Sequence, residues 1–273
     1  MSNASSVSWL FVPGDRPDRF EKAAAAGADE TILDLEDAVS PEDKPAARDR
    51  VVDWLSDGGS GWVRINGPGT QWHEDDLDAL LRCRGLRGLV VPKAEESGAL
   101  ALISARSREL QIVALVETAR GMRNLDSICA TAGVTRLAFG SIDLALDLDA
   151  QESDEVLLPA RSDLVMASRA GGLAPPIDGV TVEFRDAEVV AGEAARSRAR
   201  GFGGKLCIHP AQVPIVNRAF APSPTELAWA RRVMAAAQTN RSGAFPVDGR
   251  MVDRPLLLRA QRLLARAGEG WAR

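Results

Sequence analysis

Histidine is nearly absent from this sequence of 273 residues, with only His73 and His209 present. That excludes a multi-histidine zinc centre, which needs several imidazoles. Tyrosine is missing altogether, and aromatic residues make up only 5% of the chain. No block of lysine or arginine stands out, and the formal net charge is −5. Nucleic-acid binding needs a clustered basic face, so that class is disfavoured. An acidic chain still holds an anionic substrate, but only through a local Arg, Lys or metal centre. No apolar run approaches the roughly 18 residues that cross a bilayer. A basic segment leading into an apolar stretch, the mark of a secretory signal, is missing near the N-terminus. Ser2-Asn3-Ala4 reads as a cloning remnant. Cys83, Cys129 and Cys207 stand far apart and form neither CxxC pairs nor an even disulfide set. A reducing cytoplasm is the expected setting. Neither a P-loop nor a GxSxG elbow occurs.

What is present is a repeated alternation of apolar runs and amphipathic stretches, with no linker between them. Strands are expected over residues 9–12, 31–35, 62–65, 89–91, 112–116, 136–139, 177–181 and 205–208. Helical spacing fills the gaps, for example over 18–26, 44–55, 95–105, 157–170 and 186–200. Eight strand signals separated by helices predict a closed (β/α)8 TIM barrel over residues 1–220. An open doubly wound sheet is the competing topology, but its glycine-rich first turn is absent from Pro13-Gly14-Asp15-Arg16-Pro17. Residues 221–273 break the pattern: a helix over 223–237, a turn-rich loop over 240–245, an extended stretch over 245–253 and a last helix over 256–267. This segment reads as a helical and extended C-terminal arm or lid, suited to packing on a neighbouring subunit.

Ile112-Val113-Ala114-Leu115-Val116 runs straight into Glu117, and Leu137-Ala138-Phe139-Gly140 leads to Asp143. Two strands that each deliver a carboxylate at their C-terminal ends make an open site for a hard divalent cation such as Mg2+. The plain alternative is that both acids cap the helices that follow. Polar residues recur after other strands too: Glu36 and Asp37 after the second, Arg64 with Asn66 at the third, Lys93 after the fourth and His209 after the eighth. Surface decoration has no reason to choose one end of the strands. Arg64, flanked by Val63 and Ile65, suits a bidentate carboxylate contact in the barrel mouth; an internal ion pair with Glu117 or Asp37 is the other reading. Cys207 and His209 fit core packing followed by a helix start at Pro210.

Leu10-Phe11-Val12-Pro13-Gly14-Asp15-Arg16-Pro17 resembles the opening of the citrate lyase β-subunit-like family of the HpcH/HpaI aldolase/citrate lyase superfamily. Asp34-Leu35-Glu36-Asp37-Ala38-Val39, Val63-Arg64-Ile65-Asn66, Pro92-Lys93-Ala94-Glu95, Leu115-Val116-Glu117-Thr118-Ala119 and Gly204-Lys205-Leu206-Cys207-Ile208-His209-Pro210 resemble its motifs, in order. Pro176-Ile177-Asp178-Gly179 and Gly249-Arg250-Met251-Val252-Asp253-Arg254-Pro255 extend the likeness to nearly the whole chain. The resemblance implies Mg2+ held by Glu117 and Asp143, with Arg64 on the substrate carboxylate or oxo group. It implies that Glu36 and Asp37 organise metal-bound water, with Lys93 beside them. It further implies acyl-CoA or acyl-carrier thioester substrates of the citryl, malyl or citramalyl type. Asp253 would act in proton transfer at an adjacent subunit's site, within a trimer or a pair of trimers. Two departures stand out. Ile142 occupies the place where many relatives carry Glu before the metal-binding Asp, and the segment 157–161 lacks the Tyr often found there.

The expected activity is therefore a Mg2+-dependent carbon–carbon lyase acting on a 3-hydroxy-carboxyacyl thioester. Condensation or thioester hydrolysis uses the same enolate logic and stays open. A CoA-independent 2-oxo-acid aldolase fits less well, because no His precedes His73. A non-catalytic subunit would not need Glu117, Asp143, Arg64 and Asp253 together.

Overall fold

The computed structural model of the chain describes residues 5–240 and 243–269; Ser2-Asn3-Ala4 and the loop residues Arg241 and Ser242 lie outside them. Eight strands close into a parallel barrel in sequential order. They are β1 (Ser8–Pro13), β2 (Glu30–Asp34), β3 (Gly61–Arg64), β4 (Leu86–Val91), β5 (Ile112–Val116), β6 (Val134–Phe139), β7 (Ala174–Asp178) and β8 (Gly204–Cys207). Between them run α1 (Phe20–Ala24), α2 (Lys44–Ser56), α3 (His73–Leu80), α4 (Ser97–Ala105), α5 (Ala119–Arg123), α6 (Leu125–Cys129), α7 (Ser141–Asp147), α8 (Leu158–Ala170) and α9 (Ala187–Arg200); α10 (Val213–Phe220) follows β8. No helix among the described residues is long and apolar enough to cross a membrane.

The strand runs are apolar without alternation because both faces are covered. Trp9, Ile32, Trp62, Val90, Val113, Leu115, Ala138, Ile177 and Leu206 pack together inside the barrel. Their neighbours Leu10, Leu33, Val63, Leu89, Ala114, Leu137 and Cys207 face the helices in a second core. At the end where the strands begin, Glu30 accepts from Trp62 Nε1 at 2.9 Å and pairs with Arg87 at 2.9 Å. Arg136 is fully buried there beneath the Trp9 ring, and burial pushes its pKa down to about 9. Charge at this end is spent on holding the barrel together, which leaves the opposite rim for chemistry.

The seventh strand runs Ala174–Asp178, earlier than the expected 177–181. Pro175 and Pro176 lack N–H donors, yet Pro176 still accepts from Gly203 N at 2.8 Å. The remaining strands lie within a few residues of their expected places.

Residues 221–269 form a second compact unit, divided from the first between Phe220 and Ala221. Here α11 (Pro224–Thr239) opens on a capping box between Ser223 and Glu226. The stretch expected to be simply extended is an antiparallel hairpin, β9 (Phe245–Val247) and β10 (Arg250–Val252). Its turn is Asp248-Gly249, both with positive φ, as a two-residue hairpin turn requires. The last helix is α12 (Arg254–Arg266). Val252 fills this unit's own core with Phe245, Val233 and Leu264. Met251 is 64% exposed.

Candidate active site

Parallel strands end on one rim, so Asp34, Arg64, Lys93, Glu117 and Asp143 follow from strand order alone onto the same end of the barrel. The Arg64 guanidinium lies over the Phe11 ring. It donates from Nε and Nη2 to both oxygens of Asp34 at 2.7 and 2.6 Å. Its Nη1 stands 3.0 Å from Glu36 Oε2 and 3.7 Å from Asp37 Oδ2. Of the two ion-pair partners the sequence left open, Asp37 is loosely engaged and Glu117 is replaced by Asp34. Burial alone would lower the Arg64 pKa, but the charge of Asp34 and its bidentate bond outweigh it and hold the pKa raised.

Asp34 also accepts from the backbone N–H groups of Glu36 and Ala38. The buried Lys44 ammonium donates to the Leu35 and Glu36 carbonyls at 2.9 and 2.7 Å. Asp34 and Lys44 thus fix the acidic loop from both sides. Glu36 bridges Arg64 and Lys93, accepting from Lys93 Nζ at 2.6 Å. Its Oε2 stays buried with no hydrogen bond. Burial first, and Asp37 in addition, raise its pKa against the pull of Arg64 and Lys93.

Lys93 has a left-handed backbone, φ 48°, uncommon outside glycine. That conformation points its N–H at Glu117 Oε1, 2.8 Å away. Glu117 is 1% exposed. Burial, then the charges of Glu36 and Asp143, push its pKa up to about 8, outweighing the Lys93 N–H and Arg64. Gly140, the residue after β6, makes room for it: a Cβ there would lie 2.4 Å from Glu117 Oε2. Asp143 sits half-exposed in the first turn of α7 and forms no ion pair among the described residues.

Carboxylates outnumber the cations next to Glu117, and oxygens are left open on this side of the rim. That donor set fits a hard divalent cation, with Glu117 and Asp143 as its carboxylates. Among the described residues no group of three or more His, Cys, Asp or Glu side chains is placed to hold a metal ion, so a cation on these two carboxylates would need water and substrate oxygens to complete its shell. A pH effect follows for the metal-free protein. Folded Glu117 keeps its proton up to about pH 8, whereas the unfolded carboxyl loses it near its ordinary 4.5. The folded state therefore binds more protons across that window, and stability should fall as pH rises through it. Melting curves in a chelator should show this slope, and Glu117→Gln should flatten it; an equal slope in the variant would contradict the cause given.

Other expected residues lie elsewhere. Asn66, expected to share a face with Arg64, is buried and donates from Nδ2 to Asp76 at 2.7 Å. His73 binds the Asn66 carbonyl. Cys207 is buried in the core, and His209 lies beyond β8, capping a short helical turn and stacking on Phe184. Arg161, in the segment without Tyr, turns to Asp178. In the C-terminal unit Asp253 caps α12, accepting from Leu256 N at 3.3 Å. Nothing in the sequence pattern singles out Asp34 as the Arg64 partner, or Lys44 and Gly140 as parts of the site.

A closed (β/α)8 barrel whose rim gathers Glu117, Asp143 and an Arg–carboxylate cluster defines the class: a metal-assisted barrel enzyme. Residues 7–210 match the family described as HpcH/HpaI aldolase/citrate lyase, and this chain belongs to it. The chain is 41% identical over 273 residues to the citrate lyase subunit beta-like protein of Mycobacterium tuberculosis, covering 97% of each. It is 36% identical over 269 residues to a (3S)-malyl-CoA thioesterase of Cereibacter sphaeroides, covering 95% of this chain and 94% of the other. The M. tuberculosis protein CitE, solved with magnesium, acetoacetate and coenzyme A, superposes with a TM-score of 0.87 at 40% identity, covering 98% of this chain and 100% of that one.

Proposed function

We propose that this chain is a Mg2+-dependent carbon–carbon lyase acting on a 3-hydroxy-carboxyacyl thioester of the citryl, malyl or citramalyl type. The observation that carries the reading is the buried Glu117, where burial and the charges of Glu36 and Asp143 outweigh the pull of Arg64. Glu117 and Asp143 would hold the Mg2+. Bound there, the cation supplies Lewis-acid stabilisation of the negative charge that develops on oxygen as the bond breaks. Relatives of this chain carry coenzyme A or malyl-CoA in their names, which supports a CoA thioester over an acyl-carrier one.

The chain's own residues divide the remaining work. Asp34 presents Arg64 as a planar fork at the mouth, where Nη1, 3.0 Å from Glu36 and 3.7 Å from Asp37, is the donor that would turn to a substrate carboxylate or oxo group. Lys93 locks Glu117 through its N–H and Glu36 through its ammonium, so both carboxylates keep one orientation. Glu36 and Asp37 accept hydrogen bonds from water at the rim. Asp253, delivered by a neighbouring copy in a trimer or pair of trimers, moves the proton at the acyl-thioester carbon. The three cysteines are free and buried, as suits the cytoplasm.

Thioester hydrolysis is the second reading, favoured by the malyl-CoA thioesterase likeness. A panel of acyl-CoA thioesters with Mg2+, products identified by mass spectrometry, separates the two. A shortened acyl-CoA plus an oxo compound supports the lyase; free CoA plus an intact hydroxy acid supports the hydrolase. Arg64→Lys keeps the charge but loses the fork, and should lower kcat/KM at least about tenfold, roughly 1.4 kcal/mol of transition-state stabilisation. An unchanged kcat/KM would leave Arg64 with the Asp34 ion pair as its whole role.

A further inference from the structure

Asp147 is the last residue of α7. An acid in the last turn of a helix opposes the helix dipole, so its placement there needs another reason. Its Oδ2 accepts the backbone N–H of Ala119 at 2.7 Å. Ala119 opens α5, two residues beyond Glu117, and Asp147 lies one helical turn beyond Asp143. A single hydrogen bond therefore joins the two short segments that carry the carboxylates of the rim.

α7 is anchored at its start by backbone pairing and along its inner face by Leu144 and Ala145, both buried in the helix-side core. Gly140 N donates to Val116 O at 3.0 Å, continuing the β5–β6 pairing, and Ser141 Oγ donates to Glu152 at 3.3 Å. Beyond Asp147 the chain leaves the helix through Leu148, which is 47% exposed, and Asp149, which has a left-handed φ of 49°. The exposed C-terminal end of this short helix, one turn beyond Asp143, is where the Asp147 bond adds a tie that the core packing of Leu144 and Ala145 does not supply. On the Ala119 side, Thr118 Oγ1 already accepts from Gly121 N, which leaves the Ala119 N–H to Asp147.

We infer that Asp147 is a positioning residue for the metal centre: by tying the end of α7 to the start of α5 it fixes the separation of Glu117 and Asp143. The inference rests on those two residues being the Mg2+ carboxylates.

The test is calorimetric titration of Mg2+ alone into the full, metal-free chain. Asp147→Ala should weaken Mg2+ binding roughly tenfold, the scale seen when a group orienting a metal ligand is lost. Asp147→Asn, whose amide oxygen still accepts, should bind within about twofold of the parent chain. Ala119→Pro deletes the donor instead. Proline is tolerated at the first helical position, and Thr118 before it is already extended, so this variant should fold and reproduce the Asp147→Ala loss. In turnover, the Mg2+ concentration for half-maximal rate should rise in both, while kcat at saturating Mg2+ stays near the parent value. Parent-like Mg2+ binding in Asp147→Ala or in Ala119→Pro would overturn the inference. So would equal loss in Asp147→Asn and Asp147→Ala, which would assign the effect to charge rather than to the bond. Glu117→Ala is the control. If it binds Mg2+ like the parent, or the parent binds none, the metal assignment itself fails and this tie falls with it.

Discussion

Glu117→Ala and Asp143→Ala are each expected to abolish Mg2+-dependent turnover while leaving the barrel folded. Metal stabilisation of developing oxygen charge is worth several kcal/mol. Each 1.36 kcal/mol is tenfold in rate, so the expected loss is about a thousandfold or more. The fold should survive because Glu117 is not a stabilising group in the metal-free chain: burial and its acidic neighbours already disfavour its charge. Alanine at 117 removes a buried carboxyl whose charged form is disfavoured there, and the Lys93 ammonium keeps Glu36 as a partner. Circular dichroism and melting curves check the fold, and steady-state kinetics with and without chelator check the activity. Full activity in both variants would remove these residues from the metal.

The second large effect concerns Asp253. Asp253→Ala should be as inactive as Glu117→Ala, although its carboxylate has a local task at the start of α12. Losing an N-cap costs on the order of 1 kcal/mol, which affects the C-terminal unit's stability but does not explain loss of turnover. Mixing the two inactive variants distinguishes shared from private sites. If each site combines one copy's metal centre with another's Asp253, random assembly in equal amounts should restore about a quarter of the sites. Mass spectrometry of the mixed assemblies must first confirm subunit exchange. No activity after confirmed exchange would return Asp253 to capping alone.

The parts of this fold that were legible in the sequence are those that depend on burial along a single segment. Ile112–Val116 was found to the residue because five apolar residues in a row, buried on both faces, leave little choice. The prolines of β7 displaced its expected place, since a proline pair reads as a break although its carbonyls still accept. The hairpin had its signal too: Asp248-Gly249 between Val247 and Arg250 is a two-residue turn, hidden by reading 245–253 as one extended stretch.

The site divided the same way. Carboxylates that end strands were legible from position, because parallel order puts them on one rim. Pairings between strands were not: Asp34 and Arg64 lie 30 residues apart and meet only because β2 and β3 are neighbours in register. Gly140 gave no chemical signal, since its role is an absent Cβ beside Glu117. Asp147 did leave one, an acid at the wrong end of a helix.

On the proposed reading, one divalent cation on Glu117 and Asp143 drives cleavage of the thioester substrate. That role is tested most directly by titrating Mg2+ into metal-free chain while following release of the oxo product from whichever acyl-CoA turns over. Turnover should be absent in chelator, rise to saturation at one Mg2+ per chain, and stay absent in Glu117→Ala at any Mg2+ concentration. Product released at the full rate in chelator, or restored by Mg2+ in Glu117→Ala, would contradict that role.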